Sequence, residues 1–256
     1  MTLEPCNHTG RTPPCTEAIL QTPIQRVILG CRDPNLHVKG GGAERLREAG
    51  ITVIEGVLQA QCAELIRGFR HWILTGRPWV TVKIARQNST DDLSRAMIPP
   101  PGIKTFTSAK SLRLAHLLRK QADVILTGSG TILSDQPEFT VRHVADHVPD
   151  PSKRRLLAIL DRRHRVPREY LESARKRGLD VLTDQTLDTV FEELGRRGLH
   201  EVLVEAGPTL TQEILARNLW DEQVIITRGC STEDDVKIVY RAEPILSWGD
   251  RPNVSG

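Results

Sequence analysis

Two cysteines near the start of the chain are of a type that binds metals. Cys6 and Cys15 each follow a proline in a segment rich in Pro, Gly and Thr, with eight residues between them. Thiolates are soft ligands for Zn²⁺. Two cysteines at this spacing also occur in loops that bind no metal, so the pair alone leaves both interpretations open.

Glycines follow two predicted strands in the second half of the chain. The segment Gly128-Ser-Gly130-Thr131 comes after the apolar run 123–127 and is predicted to be a turn. Glycine lets a backbone approach a phosphate or a ring without a Cβ in the way, although most lone Gly-x-Gly pairs mark only a tight turn. At the second junction, Gly207-Pro208-Thr209, a helix N-terminus would offer free N–H groups to a phosphate.

Charged side chains near these junctions could bind a substrate. Lys83 ends a predicted strand, where it could anchor a carbonyl or phosphate or simply be solvated. Arg119 belongs to a basic helix; its planar fork suits phosphate oxygens, but a surface position is the ordinary alternative. Glu205 precedes the second junction and could bind a ligand or act as a dipole partner for the helix.

The elements that must position these residues alternate along the chain. Apolar runs predict strands, and segments with apolar spacing near 3.6 predict helices. The predicted strands cover residues 26–30, 51–54, 79–84, 123–127, 155–160, 180–183, 202–205 and 223–227. Helices are predicted over residues 43–49, 59–74, 108–121, 168–177, 187–197 and 209–217. This alternation predicts an α/β fold with a largely parallel sheet.

Proline and glycine mark the breaks between these elements. The segment Gly76-Arg-Pro78 predicts a domain boundary, with residues 1–76 in one domain and 77–256 in the other. Thr16 is predicted to cap a short helix that ends near Thr22. Residues 86–107 are predicted to be irregular, and the tail after Gly229 to be a loop, an edge strand or partly disordered.

Composition excludes several classes of protein. The chain has 256 residues, of which 39% are hydrophobic and 26% charged, with a net charge of +3. Such a chain is typical of a globular protein and gives no reason to expect a nucleic-acid or membrane partner. Its five cysteines do not suggest a disulfide scaffold, and no signal peptide or membrane span is visible. We expect a reduced, cytoplasmic protein.

Short motifs follow one another in a specific order from residue 2 to about residue 222. They are Leu3-Glu-Pro-Cys-x-His-x-Gly-Arg-Thr-Pro-Pro-Cys15, Ile24-x-Arg-Val27, Asp33-Pro-Asn35, Gly40-Gly-Gly42, Leu46-x-x-Ala-Gly-Ile51, Arg77-Pro78, Lys83, Leu117-Leu-Arg119, Gly128-x-Gly-Thr131, Asp135-x-Pro137, Thr140-Val-Arg142, Leu160-Asp161, Arg165-x-Pro167, Leu203-Val-Glu-x-Gly-Pro208 and Asp221-Glu222. The set resembles the bifunctional riboflavin-biosynthesis family, in which a diaminohydroxyphosphoribosylaminopyrimidine deaminase is fused to a 5-amino-6-(5-phosphoribosylamino)uracil reductase.

The resemblance implies a partial cytidine-deaminase-like domain followed by a dihydrofolate-reductase-like α/β domain. The second domain would use NADPH to reduce a phosphoribosylaminopyrimidine, by hydride transfer to C1 of the ribosyl group in its Schiff-base form. The resemblance also implies a homo-oligomer formed through this domain. The implied cofactor-binding residues are Gly128, Gly130, Thr131, Asp135, Gly207, Pro208 and Thr209. The implied substrate-binding residues are Lys83, Arg119, Phe139, Arg142 and Glu205, with the two arginines at the phosphoribosyl group.

In the first domain, the resemblance makes Cys6 and Cys15 two of three zinc ligands. The third ligand and the catalytic Glu would come from a His-Ala-Glu segment, which this sequence does not contain. His8 lies in the loop between the cysteines and is not a ligand in the family. No catalytic residue is therefore assigned, and we expect the deaminase-like half to be truncated at its N-terminus.

Several positions depart from the family pattern at the expected reductase site. Gln87-Asn-Ser-Thr90 replaces Ser-Leu-Asp-Gly, Ile103-Lys-Thr105 replaces Ser-x-Trp, Ala206 replaces a glycine, and the loop Pro99-Pro-Pro-Gly102 is unusual. Three readings follow: a reductase with an incomplete deaminase half, a complete bifunctional enzyme whose start was assigned too late, or a non-catalytic remnant that binds a nucleotide or a partner subunit.

Overall fold

Helices and strands alternate along most of the chain, as the apolar runs predict. The computed structural model describes residues 1–10, 12–35, 41–87, 92–98, 107–147, 154–229 and 233–241. The helices are α1 (Cys15–Leu20), α2 (Gly42–Glu48), α3 (Gln59–Leu65), α4 (Arg67–Thr75), α5 (Leu93–Ala96), α6 (Ala109–Gln121), α7 (Ser129–Asp135), α8 (Arg168–Lys176), α9 (Val190–Arg196) and α10 (Pro208–Ala216). The strands are β1 (Arg26–Ile28), β2 (Thr52–Ile54), β3 (Trp79–Gln87), β4 (Val124–Gly128), β5 (Leu156–Leu160), β6 (Asp180–Leu182), β7 (Glu201–Val204), β8 (Glu222–Arg228) and β9 (Asp235–Tyr240).

A seven-stranded sheet forms the larger part of the fold, in the order β6-β5-β4-β7-β3-β8-β9. Strand β4 pairs in parallel with both β5 and β7, and β3 pairs in parallel with β8. The prediction of an α/β fold with a mostly parallel sheet is confirmed. In the tail, Asp235–Tyr240 form β9, which pairs antiparallel with β8 at the sheet edge and confirms an edge strand in this part. Residues 230–232 and 242–256 of the tail lie outside the described residues.

The strands near the middle of this sheet are buried on both faces. In β4, Val124, Ile125 and Leu126 are fully buried, as expected where helices cover both sides of a parallel sheet. One apolar cluster joins the sheet to the helices beside it and consists of Ile125, Ile132, Phe139, Leu157, Ile159, Ala174 and Leu179. This packing holds α7 and the loop after it against the sheet.

The N-terminal residues form a smaller parallel sheet. Strands β1 and β2 pair in register, and an isolated parallel bridge joins Leu3 to Cys31. A separate apolar cluster supports this sheet and consists of Val27, Leu29, Ala43, Leu46 and Ile51. The cytidine-deaminase-like assignment of this region stays a prediction.

The chain separates into two compact units. One unit contains residues 1–79 and 185–201, and the other contains residues 80–184 and 202–256. The division into domains at residue 76 stays a prediction. Among the described helices, none combines the length and the apolar character that crossing a lipid bilayer demands.

Lys83 lies inside β3, which continues to Gln87, and not at the end of the strand. Residues 86–107 are not irregular throughout, because they contain the end of β3 and helix α5.

Three further local predictions are wrong. The helix predicted over residues 59–74 is broken at Ile66, which leaves α3 and α4; Gly68 beyond the break lies close to the Glu201 side chain. Thr16 is not an N-cap, because α1 already begins at Cys15 after Pro14. The Thr16 hydroxyl instead donates a hydrogen bond to Asn7 Oδ1 (3.0 Å).

The third error concerns the segment from Gly128 to Thr131, which is not a turn. Strand β4 ends at Gly128 and α7 begins at the next residue, with Gly130 and Thr131 inside the helix. Gly128 has an ordinary extended backbone (φ −105°), so no left-handed conformation requires a glycine there.

Candidate active site

A cavity of about 810 Å³ lies at the carboxyl ends of β4 and β7. Its wall includes every residue that the sequence predicts for the reductase site: Lys83, Gly128, Gly130, Thr131, Asp135, Arg119, Phe139, Arg142, Glu205, Gly207, Pro208 and Thr209. Crevices at the carboxyl ends of parallel strands are common ligand sites, because the loops and helix N-termini that follow the strands meet there.

The two predicted glycine junctions lie next to each other because β4 and β7 are neighbours in the sheet. The Gly207 backbone N–H donates a hydrogen bond to the Thr131 hydroxyl oxygen (2.9 Å), which links the start of α10 to α7. A Cβ added to Gly130 would meet no protein atom within 4 Å. Gly130 therefore leaves open space that a ligand could fill.

A phosphate-bearing cofactor such as NADPH fits this part of the cavity. Gly207 is the N-cap of α10 and Pro208 is at its start, so no side chain caps the first turn. The uncapped amide groups and the positive end of the helix dipole suit a phosphate. Ala206, which departs from the family pattern, also lines the cavity next to this junction.

Glu205 is the carboxylate of an ion cluster that it forms with Lys83 and Arg119 in the cavity wall. The carboxylate directly follows β7, and only 6% of the residue is exposed. It accepts bonds from Arg119 Nε (2.5 Å) and Nη2 (2.9 Å), and from Lys83 Nζ (3.1 Å). Glu205 thus pairs with two cations and does not act as a dipole partner alone.

This cluster keeps Glu205 ionised in spite of its burial. Burial raises the pKa of a carboxyl group, but Lys83 and Arg119 outweigh this effect and lower the pKa of Glu205 to about 2. Burial likewise opposes the charge on Arg119, and Glu205 reverses the effect and raises the pKa of that guanidinium. The cavity therefore holds an ionised carboxylate at neutral pH, bonded to the Lys83 and Arg119 side chains.

Three strands and one helix bring these charges together. Lys83 lies in β3, Glu205 follows β7 next to it in the sheet, and Arg119 lies near the end of α6. The Glu205 backbone N–H donates to the Leu126 carbonyl of β4 (3.0 Å), which fixes its position against the sheet. Sequence spacing could not show that the Arg119 guanidinium would bond to the Glu205 carboxylate.

Phe139 and Arg142 lie in the loop after α7. Phe139 is buried at 1% exposure and takes a left-handed backbone conformation (φ +55°), with the Arg119 guanidinium 5.8 Å from its ring centroid. Arg142 is half-exposed; its Nη1 donates to the Thr140 hydroxyl (2.6 Å) and to the Glu138 carboxylate. Arg142 is thus the more accessible of the two predicted phosphate-binding arginines.

The sequence analysis missed His116, which also lines the cavity. His116 lies one turn before Arg119 on α6 and is buried. Its Nδ1 accepts a hydrogen bond from the Arg142 backbone N–H (2.9 Å). The spacing of three residues between His116 and Arg119 was the available signal, because it places both side chains on one helix face.

Residues 88–90, 99–102 and 103–105, where the sequence departs from the family pattern, lie outside the described residues. Gln87 is described at the end of β3, and its side-chain amide donates to the Ile98 carbonyl (2.7 Å).

Cys6 and Cys15 lie close together but do not form a zinc site with other described residues. The Cys15 backbone N–H donates to Cys6 Sγ (3.2 Å), and hydrogen bonding to Cys6 together with burial raises the pKa of the Cys15 thiol. No group of three or more His, Cys, Asp or Glu side chains suited to a metal ion occurs within the described ranges. Since zinc sites need at least three protein ligands, the described residues do not fit zinc.

Comparisons with known proteins point to one family. A family model described as the RibD C-terminal domain matches residues 82–228, a range that contains every residue of the cavity wall. Riboflavin biosynthesis protein RibD of Aquifex aeolicus is 33% identical over 247 residues, covering 88% of this chain and 67% of the relative. The Escherichia coli protein of the same name is 32% identical over 260 residues, with coverages of 88% and 68%.

Solved structures give the same result. Acinetobacter baumannii RibD superposes with a TM-score of 0.72 at 30% identity and covers 94% of this chain and 71% of that one. A Thermotoga maritima protein, described as a diaminohydroxyphosphoribosylaminopyrimidine deaminase/5-amino-6-(5-phosphoribosylamino)uracil reductase, has a TM-score of 0.69 at 29% identity, with coverages of 91% and 68%. The chain therefore spans about two thirds of the length of these relatives.

Proposed function

Because the chain belongs to the family of riboflavin biosynthesis protein RibD, we propose that it reduces 5-amino-6-(5-phosphoribosylamino)uracil with NADPH. The observation that carries the proposal is the cavity wall, which unites the two glycine junctions with the Lys83–Glu205–Arg119 cluster. The proposal concerns the reductase reaction alone.

NADPH would supply the hydride that reduces C1 of the ribosyl group in its open Schiff-base form, and a proton from solvent would complete the amine at the neighbouring nitrogen. The protein's part is to bind and orient the two reactants and to hold charge beside the reacting atoms. The glycine junctions at Gly128–Thr131 and Gly207–Thr209 would hold the cofactor. Lys83 would face the pyrimidine or the ribosyl group, where its ammonium stabilises negative charge that develops on the substrate.

Glu205 would hold Lys83 in place and accept hydrogen bonds from the substrate. Its carboxylate already accepts from two cations, and ribosyl hydroxyls are donors that could share its oxygens. Because its pKa is about 2, Glu205 is an ionised acceptor at neutral pH and not a proton donor.

The phosphate end of the substrate would lie near Arg142. This guanidinium is half-exposed at the cavity and is bonded to neighbours in its own loop. Arg119 adds positive charge on the same side, although Glu205 neutralises much of it. A phosphorylated substrate should therefore bind much more tightly than its dephosphorylated analogue.

The proposal is tested by the oxidation of NADPH in the presence of the phosphorylated substrate. We expect turnover by the purified chain, and Lys83→Met should lower kcat/KM by roughly a hundredfold. Lys110→Met is the matched control, since Lys110 is exposed and pairs with exposed Glu233. Absence of NADPH oxidation by the folded wild-type chain, or equal activity of the two variants, would contradict the proposal.

We also propose that a second copy of the chain covers the outer face of β9. Val236, Ile238 and Tyr240 alternate along this edge strand, so their side chains share one face, and they are 41%, 50% and 54% exposed. An exposed apolar edge strand is a surface that proteins commonly cover by association. This supports the expected homo-oligomer formed through the reductase domain.

A further inference from the structure

His116 is a buried histidine that the proposed reaction does not use directly. It lies on the cavity face of α6 and is 1% exposed. Its Nδ1 accepts the backbone N–H of Arg142 (2.9 Å), so this nitrogen must carry a free lone pair. The neutral ring then carries its proton on Nε2, and that buried atom has no hydrogen-bond partner among the described residues.

The surroundings of His116 favour the neutral ring. Burial is the largest effect, and the positive charges of Arg119 and Arg142 and the neighbouring His143 add to it, whereas Glu205 opposes them. Together they lower the pKa of His116 to about 4. The His143 ring packs against it edge to face, with centroids 4.6 Å apart. The Nδ1 lone pair is therefore available throughout the neutral pH range.

The segment from Thr140 to Arg142 is held by α6 at both ends. Arg119 Nη1 donates to the Thr140 carbonyl (3.2 Å), and His116 Nδ1 accepts from the Arg142 backbone N–H. The Arg142 side chain donates hydrogen bonds to Thr140 and Glu138, within its own loop. The place of the Arg142 guanidinium at the cavity thus depends on where its backbone is held, and His116 holds it.

We propose that His116 is a positioning residue that sets the Arg142 guanidinium for the phosphate group of the substrate. The inference rests on the proposed function, because that function supplies the phosphorylated substrate. A role in packing alone would not need a histidine: an apolar side chain would fill the site without leaving a buried N–H donor unpartnered. The hydrogen bond to the Arg142 backbone requires an acceptor at this position, and the histidine Nδ1 provides it.

Two conservative substitutions separate positioning from packing. In His116→Asn the amide oxygen can take the place of Nδ1 and accept the Arg142 N–H, whereas in His116→Gln the amide lies one bond further out, near the position of Nε2. We expect H116Q to raise KM for the phosphorylated substrate about tenfold, with kcat and KM for NADPH changed little, and H116N to stay within about threefold of the wild type. Equal KM values for the two variants would overturn the proposal.

A double-mutant cycle tests whether the effect passes through Arg142. In an Arg142→Ala background there is no guanidinium to position, so H116Q should raise KM no further than R142A alone. An equal increase of KM in both backgrounds would show that His116 acts by another route and would overturn the proposal.

Equilibrium binding keeps the test independent of turnover. The dissociation constant of the phosphorylated substrate, measured by calorimetry, should rise in H116Q and stay near the wild-type value in H116N. If the wild type binds in this way but does not oxidise NADPH, the proposed reaction fails while the positioning role stands. Equal affinities in both variants overturn the role whether or not the wild type turns over.

Should H116Q fail to fold, the wild-type chain decides the question by nuclear magnetic resonance. We expect the ring nitrogens of His116 to report a neutral ring protonated at Nε2, and the Arg142 amide to exchange slowly with solvent. A ring protonated at Nδ1, or a rapidly exchanging Arg142 amide, would overturn the proposal.

Discussion

At the scale of single residues, the cavity depends on charges that are buried as a group. Glu205 forms ion pairs with Lys83 and Arg119, whose side chains are 19% and 12% exposed. Each cation would be costly in this place without the carboxylate, because a buried charge needs a partner. The cluster therefore makes the stability of the fold and the chemistry of the cavity depend on the same three residues.

Replacing Glu205 should destabilise the protein. Glu205→Gln leaves two partly buried cations without their carboxylate, and we expect the free energy of unfolding to fall by about 3 kcal/mol. Glu138→Gln is the matched control, because its partner Arg142 is half-exposed and the loss should be about 1 kcal/mol or less. Urea unfolding measures both variants, and similar losses would contradict this account of the cluster.

His116 should make stability depend on pH between about 6.5 and 4. Its pKa falls from 6.5 to about 4 on folding, so in this window the unfolded chain binds a proton that the folded chain does not. Acidification therefore lowers stability, by roughly 2 kcal/mol between about pH 7 and pH 5. Glu205 contributes below this window, because its stabilisation is present above pH 4.5 and is lost as the pH falls toward 2.

The measurement is urea unfolding at the two pH values for the wild type and His116→Asn. The variant should lose this part of the pH dependence, whereas His164→Asn, at an exposed position, should keep it. A wild-type pH dependence retained in H116N would show that His116 does not titrate in this way.

At the scale of elements, the sequence predicted the type of most segments, strand or helix, more accurately than the residues at which each segment begins and ends. The run 155–160 is apolar because both faces of its strand are buried, and the pattern shows this directly. The Gly128–Thr131 segment was predicted as a turn because Gly-x-Gly has no helical signal of its own. Its helix forms because Ile132 packs into the core beneath it.

The residues of the candidate site were predictable one by one, but their contacts were not. Family motifs predict Lys83, Arg119 and Glu205 for the reductase site, yet the ion cluster depends on the strand order β4-β7-β3, which brings distant segments together. His116 carried no motif and became visible only through its bond to Arg142. Contacts between segments far apart in sequence leave no periodic signal within either segment.

Two glycines in helices should respond in opposite ways to the same substitution. Gly130→Ala places its methyl group in open cavity space, so we expect stability to rise by about 0.5–1 kcal/mol through helix propensity, while KM for NADPH rises about tenfold. Gly195→Ala places Cβ 2.0 Å from the Gly76 carbonyl oxygen and should cost roughly 2 kcal/mol or more. Thermal unfolding and NADPH kinetics measure both. An unchanged KM in G130A would argue against cofactor binding at this junction.

At the scale of the whole molecule, β9 should form part of an interface between copies of the chain. Ile238→Lys places a charge on its exposed apolar face, and we expect the mass in solution to fall from that of a dimer or tetramer toward that of one chain. Lys237→Gln, on the opposite face of the strand, should leave the mass unchanged. Light scattering gives both masses. A monomeric wild type, or an I238K variant of unchanged mass, would contradict the proposed interface.

The central claim is that the cavity transfers a hydride from NADPH to the ribosyl carbon of a phosphorylated aminouracil. The most direct test supplies NADPH deuterated at the transferable position of nicotinamide C4 and examines the product by mass spectrometry. We predict a ribitylamino product that carries one deuterium, bound at C1 of the ribityl group. Unchanged substrate, or a reduced product without deuterium, would contradict the claim.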